Sequence, residues 1–339
     1  MRAGMVGLAG LYWPLAIGRA LHERPGVEFV AAATLGVAEQ AIHEMLGLTP
    51  EEYAARFGLR LYTDAEEMVV GEHLDAVAIV TRHTEHAAWA ERMAALGTHI
   101  FIPKTFATNL ADARRIVQAG RAHEVQIAVG PSARFLPAMV AARQAVDEGR
   151  IGAPFAMRLC HHHGTIDVFH ANDWYRDPAE GGPELSLGWY GIDLMLHFMP
   201  EPAQSVTAQY GNFTSPDSPF MDCGRIALQM ASGGLAAFDM YFCNRVSYPS
   251  WQMELVGPGG VISIHRAAPD SATVAVGLDG PDGYEPLLLP DRTPGWESFW
   301  IDDFLAGRKP AVSAEDAETI TRISLAARES AASGSPVAL

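Results

Sequence analysis

Over its first 130 residues the chain alternates short apolar runs with longer amphipathic stretches. Strands are expected at 3–6, 27–33, 76–80, 99–102 and 125–129. They lie too far apart for tight turns, so they must run parallel, joined by helical crossovers that cover both faces of one sheet. The helix punctuation agrees. Pro14 opens the first helix, where its missing N–H costs nothing, Thr49-Pro50-Glu51-Glu52 has the form of a capping box, and Gly97 stops the helix that begins near Glu85. Residues 1–130 are therefore expected to form an α/β domain built on a doubly wound parallel sheet.

After Gly130 one more helix is expected at 135–148, and then the texture changes. The strand signals become longer (155–160, 205–210, 225–230, 236–242, 251–256 and 261–265) and are separated by Gly-rich breaks such as Ser232-Gly233-Gly234 and Gly257-Pro258-Gly259-Gly260. Short connections imply antiparallel neighbours. Helices expected at 185–198 and 315–332 make the second domain, 131–339, an α+β unit with an open, mostly antiparallel sheet. A chain of 339 residues suits two domains.

Forty acidic against twenty-four basic residues leave a formal charge of −16 without long single-sign runs, which argues against nucleic acid as a partner and favours a small molecule. Cys160, Cys223 and Cys243 form no C-x-x-C pair, so neither a disulfide framework nor a zinc ribbon is expected, and the reducing cytoplasm is the expected location. The uncharged stretch from Ala3 to Ile17 is shorter than the roughly 20 residues of a membrane span, and it contains glycines and a proline. It reads as buried structure, and no membrane partner is expected.

Four places can carry chemistry. The turn Val6-Gly7-Leu8-Ala9-Gly10-Leu11-Tyr12-Trp13-Pro14 follows the first strand, where glycines let backbone approach a pyrophosphate seated at a helix start. It departs from G-x-G-x-x-G, with Ala9 and Tyr12 at the second and third glycine positions, and a plain tight turn explains it equally well. Thr34 stands at the end of the second strand, where a carboxylate would hold a ribose 2′-hydroxyl. Thr81, Arg82 and His86, and then Lys104, follow the strands at 76–80 and 99–102, at the carboxyl ends where open α/β sheets bind ligands. Ser186, Tyr190, Asp193 and His197, spaced 4, 3 and 4, share one helix face. Upstream, His161 and His163 alternate to one face of their strand and His162 to the other.

These elements together resemble the Gfo/Idh/MocA oxidoreductases nearly end to end. Residues 25–31 resemble the family's second strand, Thr81 with His86 its T-P-x-x-x-H region, and Pro103-Lys104-Thr105 its E-K-P motif. Trp174-Tyr175-Arg176-Asp177-Pro178 resembles W-R-x-D-P, Gly181-Gly182 the G-G pair, and residues 188–193 part of D-x-G-x-H-x-x-D. Phe304-Leu305-Ala306-Gly307-Arg308-Lys309-Pro310 resembles the closing F-x-x-G-R-x-P. The resemblance implies an N-terminal Rossmann domain binding NAD or NADP through Gly7, Ala9, Gly10, Leu11, Tyr12, Thr34, Thr81, Arg82, His86 and Lys104. It further implies a homo-oligomer, dimer or tetramer, and hydride transfer on a secondary alcohol or ketone of a sugar, polyol or related molecule. The family's catalytic Asp and His fall on Ser186 and Tyr190.

Lys104 and Tyr190 are accordingly expected to be catalytic, Lys104 holding the reacting oxygen and its charge favouring the Tyr190 phenolate. His161, His163, Trp174, Arg176, Ser186, Asp193 and His197 are expected to bind substrate. No metal is expected. Two other readings remain open: a redox-neutral lyase, glycosidase or isomerase that recycles its bound nucleotide, and a nucleotide-binding member without turnover.

Overall fold

The computed structural model describes residues 1–164, 176–243, 250–268 and 274–339. The chain divides into two compact units, Met1–Ser132 with Pro294–Thr321, and Ala133–Thr293 with Arg322–Leu339.

The first unit carries a six-stranded parallel sheet of β1 (Arg2–Val6), β2 (Glu28–Ala33), β3 (Arg60–Tyr62), β4 (Ala76–Ile79), β5 (His99–Pro103) and β6 (Ile127–Gly130), in the order β3-β2-β1-β4-β5-β6. β4 is buried at all four positions, as expected of a central strand with both faces covered. The Thr49 capping box forms as expected, and Glu52 Oε2 accepts from the Thr49 N–H at 2.8 Å. The strand β3 has no apolar run to announce it. Arg60 and Tyr62 instead reach Glu72, at 2.5 and 2.6 Å.

Pro294–Thr321 adds a further piece to this unit, whereas the sequence places everything after residue 130 in the second domain. The physical reason is apolar cover. In the helix Phe299–Leu305, Trp300 stacks on Phe101 of β5 at 4.5 Å and 10°, both rings buried. Phe299 lies against Gly130 so closely that a Cβ there would sit 3.0 Å from its ring.

The second unit holds β7 (Ala156–His162), β8 (Ala203–Gly211), β9 (Cys223–Met230), β10 (Leu235–Tyr241), β11 (Trp251–Gly257), β12 (Gly260–Arg266), β13 (Val274–Gly280), β14 (Gly283–Leu287) and β15 (Val337–Ala338). The sheet order is β14-β13-β12-β11-β7-β10-β9-β8-β15, antiparallel except for the β7–β10 pair. Alternate β10 residues Ala236, Phe238 and Met240 are buried. Against them lies the helix Gly182–Phe198, where a Cβ at Gly191 would fall 2.0 Å from the Phe238 ring. Glycine there is what lets helix and sheet approach. No helix among the described residues is long and apolar enough to cross a membrane.

Candidate active site

In the first unit the turn after β1 is built against the end of β4. Gly7 has φ +90° and its N–H donates to Ala33 O at 3.0 Å. A Cβ on Gly7 would meet Val80 O at 2.7 Å, and one on Gly10 would meet Val80 Cγ1 at 2.4 Å and Val80 O at 2.8 Å. The two glycines thus place the turn directly over Val80 and Thr81. Leu11 (φ +56°) and Tyr12 lead into the helix Trp13–Glu23, which has Pro14 in its first turn and no side-chain cap. The Trp13 N–H donates to Gly10 O at 3.2 Å and the Leu15 N–H to Tyr12 O at 3.1 Å, while Pro14 has no N–H to leave over. Ala9 is half-buried and leaves the turn its close approach.

Thr34, at the end of β2, is tied to β3. Its N–H donates to Tyr62 O at 2.8 Å and its hydroxyl to the same oxygen at 3.4 Å. Thr81 is buried and Arg82 half-buried. His86 is buried at the start of the helix His86–Ala95, and its Nδ1 lies 3.1 Å from Phe106 O. A carbonyl accepts only, so Nδ1 carries the proton and the ring anchors the segment after β5.

Lys104 immediately follows β5. It is 7% exposed, and burial pushes its pKa down to about 7. Its Nζ stands 5.8 Å from the centroid of the Trp13 ring. Trp13 was not singled out in the sequence, yet it joins the lysine to the turn after β1 through a cation–π contact.

In the second unit, β11 pairs with β7 so that Trp251 is opposite His161. The rings stack at 3.9 Å and 7°. Tyr190 is 3% exposed and presents its ring edge-on to both, at 5.8 Å to His161 and 6.1 Å to Trp251. His163 continues the cluster, 5.3 Å from His161 and 4.8 Å from Phe242. The expected alternation holds, because His162 turns to the opposite side, near Tyr241 and Cys160. Ser186 is buried on the same helix as Tyr190.

The rest of that helix face is not arranged as the spacing suggests. Asp193 is fully buried in an ion pair with Arg134, nitrogen to oxygen 2.6 Å. Arg134 lies in the short turn Ala133–Phe135, which the sequence reading did not single out. His197 is held neutral, its pKa pushed down to about 3 by burial and by the Arg134 and Arg143 charges. The Arg143 guanidinium also donates to the His197 carbonyl at 2.7 Å. Both residues thus belong to an arginine-bearing support rather than to an open polar stripe. Arg176 is exposed, and Trp174 lies outside the described residues. Among the described residues no group of three or more His, Cys, Asp or Glu is placed to hold a metal ion.

A doubly wound parallel sheet with a glycine turn over its central strand, followed by a separate α+β unit, is the architecture of a dinucleotide-binding protein with a second domain. Residues 1–131 match the model of the oxidoreductase family with NAD-binding Rossmann fold, and 139–263 match the Gfo/Idh/MocA C-terminal domain. The chain belongs to the Gfo/Idh/MocA family of NAD-binding oxidoreductases.

Among its relatives, D-apiose dehydrogenase of Paraburkholderia graminis is 28% identical over 214 residues, which is 61% of this chain but 56% of that protein. Myo-inositol 2-dehydrogenase of Thermotoga maritima is 24% identical over 289 residues, 80% of this chain and 81% of that one. Among solved structures, an oxidoreductase from Agrobacterium radiobacter in complex with NAD+, L-tartaric acid and magnesium shares the fold with a TM-score of 0.80. It is 21% identical, and the match covers 100% of this chain and 98% of that one.

Proposed function

We propose that the protein oxidises a secondary alcohol, or reduces the matching ketone, on a sugar, polyol or related small molecule, using NAD or NADP. The observation that carries this reading is Lys104. A buried amine at a parallel-strand end with a pKa near 7 can hold a reacting oxygen in either protonation state at neutral pH. The names of the relatives, dehydrogenases of D-apiose and myo-inositol, support the substrate class.

The dinucleotide fits the residues present. Gly7 and Gly10 let the turn after β1 lie against Val80 and Thr81 at the end of β4, and the backbone of that turn would hold the pyrophosphate. Thr34, Thr81 and Arg82 would hold the rest of the dinucleotide, whose nicotinamide supplies or accepts the hydride. Lys104 binds the oxygen of the reacting carbon and stabilises charge on it. Tyr190 takes or returns the hydroxyl proton, its ring fixed by the His161–Trp251 stack. His161, His163 and Ser186 bind further hydroxyls. Because Asp193 and His197 are committed to Arg134 and Arg143, they position the Tyr190 helix instead of touching substrate. A dimer or tetramer in the cytoplasm belongs to the same proposal, as the family resemblance implies.

The test is a panel of aldoses, inositols and keto sugars offered with each oxidised or reduced nucleotide while nicotinamide absorbance is followed. Turnover on at least one polyol or sugar is expected. Tight nucleotide binding with no turnover on any of them would remove the dehydrogenase reading.

A further inference from the structure

On the side of the nine-stranded sheet opposite the helix Gly182–Phe198, the outward residues of β7, β9 and β10 line a cavity of about 650 Å³, with Cys160, His162, Cys223, Tyr241 and Cys243 among its walls. Cys223 opens β9 and stands opposite Tyr241 of β10. Cys243 follows two residues later, and so faces the same side. The ladder extends past the strand end, with the Phe242 N–H donating to Asp222 O at 2.7 Å, so both cysteine backbones are held in register. The two Sγ atoms are 3.0 Å apart, and both thiols are free and partly accessible.

We propose that Cys223 and Cys243 form a dithiol modification site that a low-molecular-weight disulfide converts to an intrachain disulfide. The sulfurs must close from 3.0 Å to about 2.05 Å. Burial, with the neighbouring Cys243 thiol and the Asp222 carboxylate, pushes the Cys223 thiol up. The Cys243 thiol gives up its proton and its sulfur attacks the reagent. The reagent's S–S bond breaks, and one half leaves as a thiol that takes the proton. Cys223 then displaces the second half in the same way. Two protein thiols are oxidised, and one disulfide is reduced to two small thiols that carry the two protons.

Cys160 is the internal control. It lines the same cavity, but its sulfur contacts His162 Nε2 at 3.3 Å, and its pKa is pushed up to about 12 by burial and by Asp239. Reduced native protein would be incubated with oxidised glutathione, alkylated under denaturing conditions and mapped by peptide mass spectrometry. The expected product has Cys223 linked to Cys243 with loss of two hydrogens, Cys160 alkylated, and the chain monomeric on a non-reducing denaturing gel. Cys160→Ala should still form the link and Cys243→Ser should not. If all three cysteines of the wild type alkylate as fully as before oxidation, or if the link joins two chains or includes Cys160, the proposal is wrong.

Discussion

Arg134 places its guanidinium 2.6 Å from the carboxylate of Asp193, whose side chain is completely excluded from solvent. A buried charge that loses its partner costs about 3–5 kcal/mol, whereas replacing both members by apolar groups of similar volume is often neutral. Asp193→Leu and Arg134→Met should therefore each lower the urea midpoint strongly, and Arg134→Met/Asp193→Leu should recover much of the loss. Strictly additive losses across that cycle would show that the two residues act independently.

A methyl group at Gly10 would lie 2.4 Å from Val80 Cγ1 and 2.8 Å from the Val80 carbonyl, and the carbonyl belongs to backbone that cannot rotate away. Gly10→Ala should cost about 1–3 kcal/mol of stability through overpacking, and it should weaken dinucleotide binding by displacing the turn. Thermal unfolding with and without nucleotide separates the two effects. An alanine variant with unchanged melting temperature and affinity would mean that the turn is built differently.

The parallel sheet was legible because β1, β2, β4, β5 and β6 carry nearly uninterrupted apolar runs, which a strand buried on both faces requires. β3 was not, since Arg60-Leu61-Tyr62 is held by a polar partner, Glu72, ten and twelve residues away. β14 is exposed almost throughout and contains Pro286, so it lacks an alternating pattern. In the site, alternation correctly sent His161 and His163 to one side. Trp251 and Arg134 escaped notice because what they touch is set by strand register and by a turn that reaches a distant helix. The motif at 304–310 was recognised, but no local periodicity encodes that the preceding Trp300 returns to cover Phe101.

Thr34 carries no charge, so it neither favours a ribose 2′-hydroxyl as a carboxylate would nor repels a 2′-phosphate. Affinities for NAD and NADP should consequently agree within about tenfold, or 1.4 kcal/mol. Calorimetric titration of both nucleotides checks this, and a hundredfold preference would reveal a discriminating residue elsewhere.

Lys104 links stability to pH with a definite sign. Its folded pKa of about 7 lies below the ordinary value near 10.4, so between these limits the unfolded chain binds a proton that the folded chain lacks. Stability from this residue therefore rises with pH across the window, and the penalty of a buried ammonium is fully present only below about 7. Lys104→Met should raise the melting temperature more at about pH 6.5 than at about pH 9.5. Equal effects at both pH values would place the amine in contact with water.

The same lysine should set the catalytic pH dependence. In the alcohol-oxidising direction, the reaction needs a group that accepts the hydroxyl proton, and the proposal gives that task to Tyr190 with Lys104 holding the oxygen. Tyr190→Phe and Lys104→Met should each lower turnover by roughly 10²–10⁴, the range for a positioned acid or base. If the two act as a unit, the double variant should be little worse than the poorer single one. The wild-type kcat/KM profile should bend near pH 7, where Lys104 titrates, and Lys104→Met should lose that inflection while retaining nucleotide affinity. His161→Asn removes the ring that stacks on Trp251 at 3.9 Å and steadies Tyr190, so it should reduce kcat while leaving the bend in place. Near-normal turnover in Tyr190→Phe would transfer the proton role to His161 or His163, and the bend would then have to shift in His161→Asn.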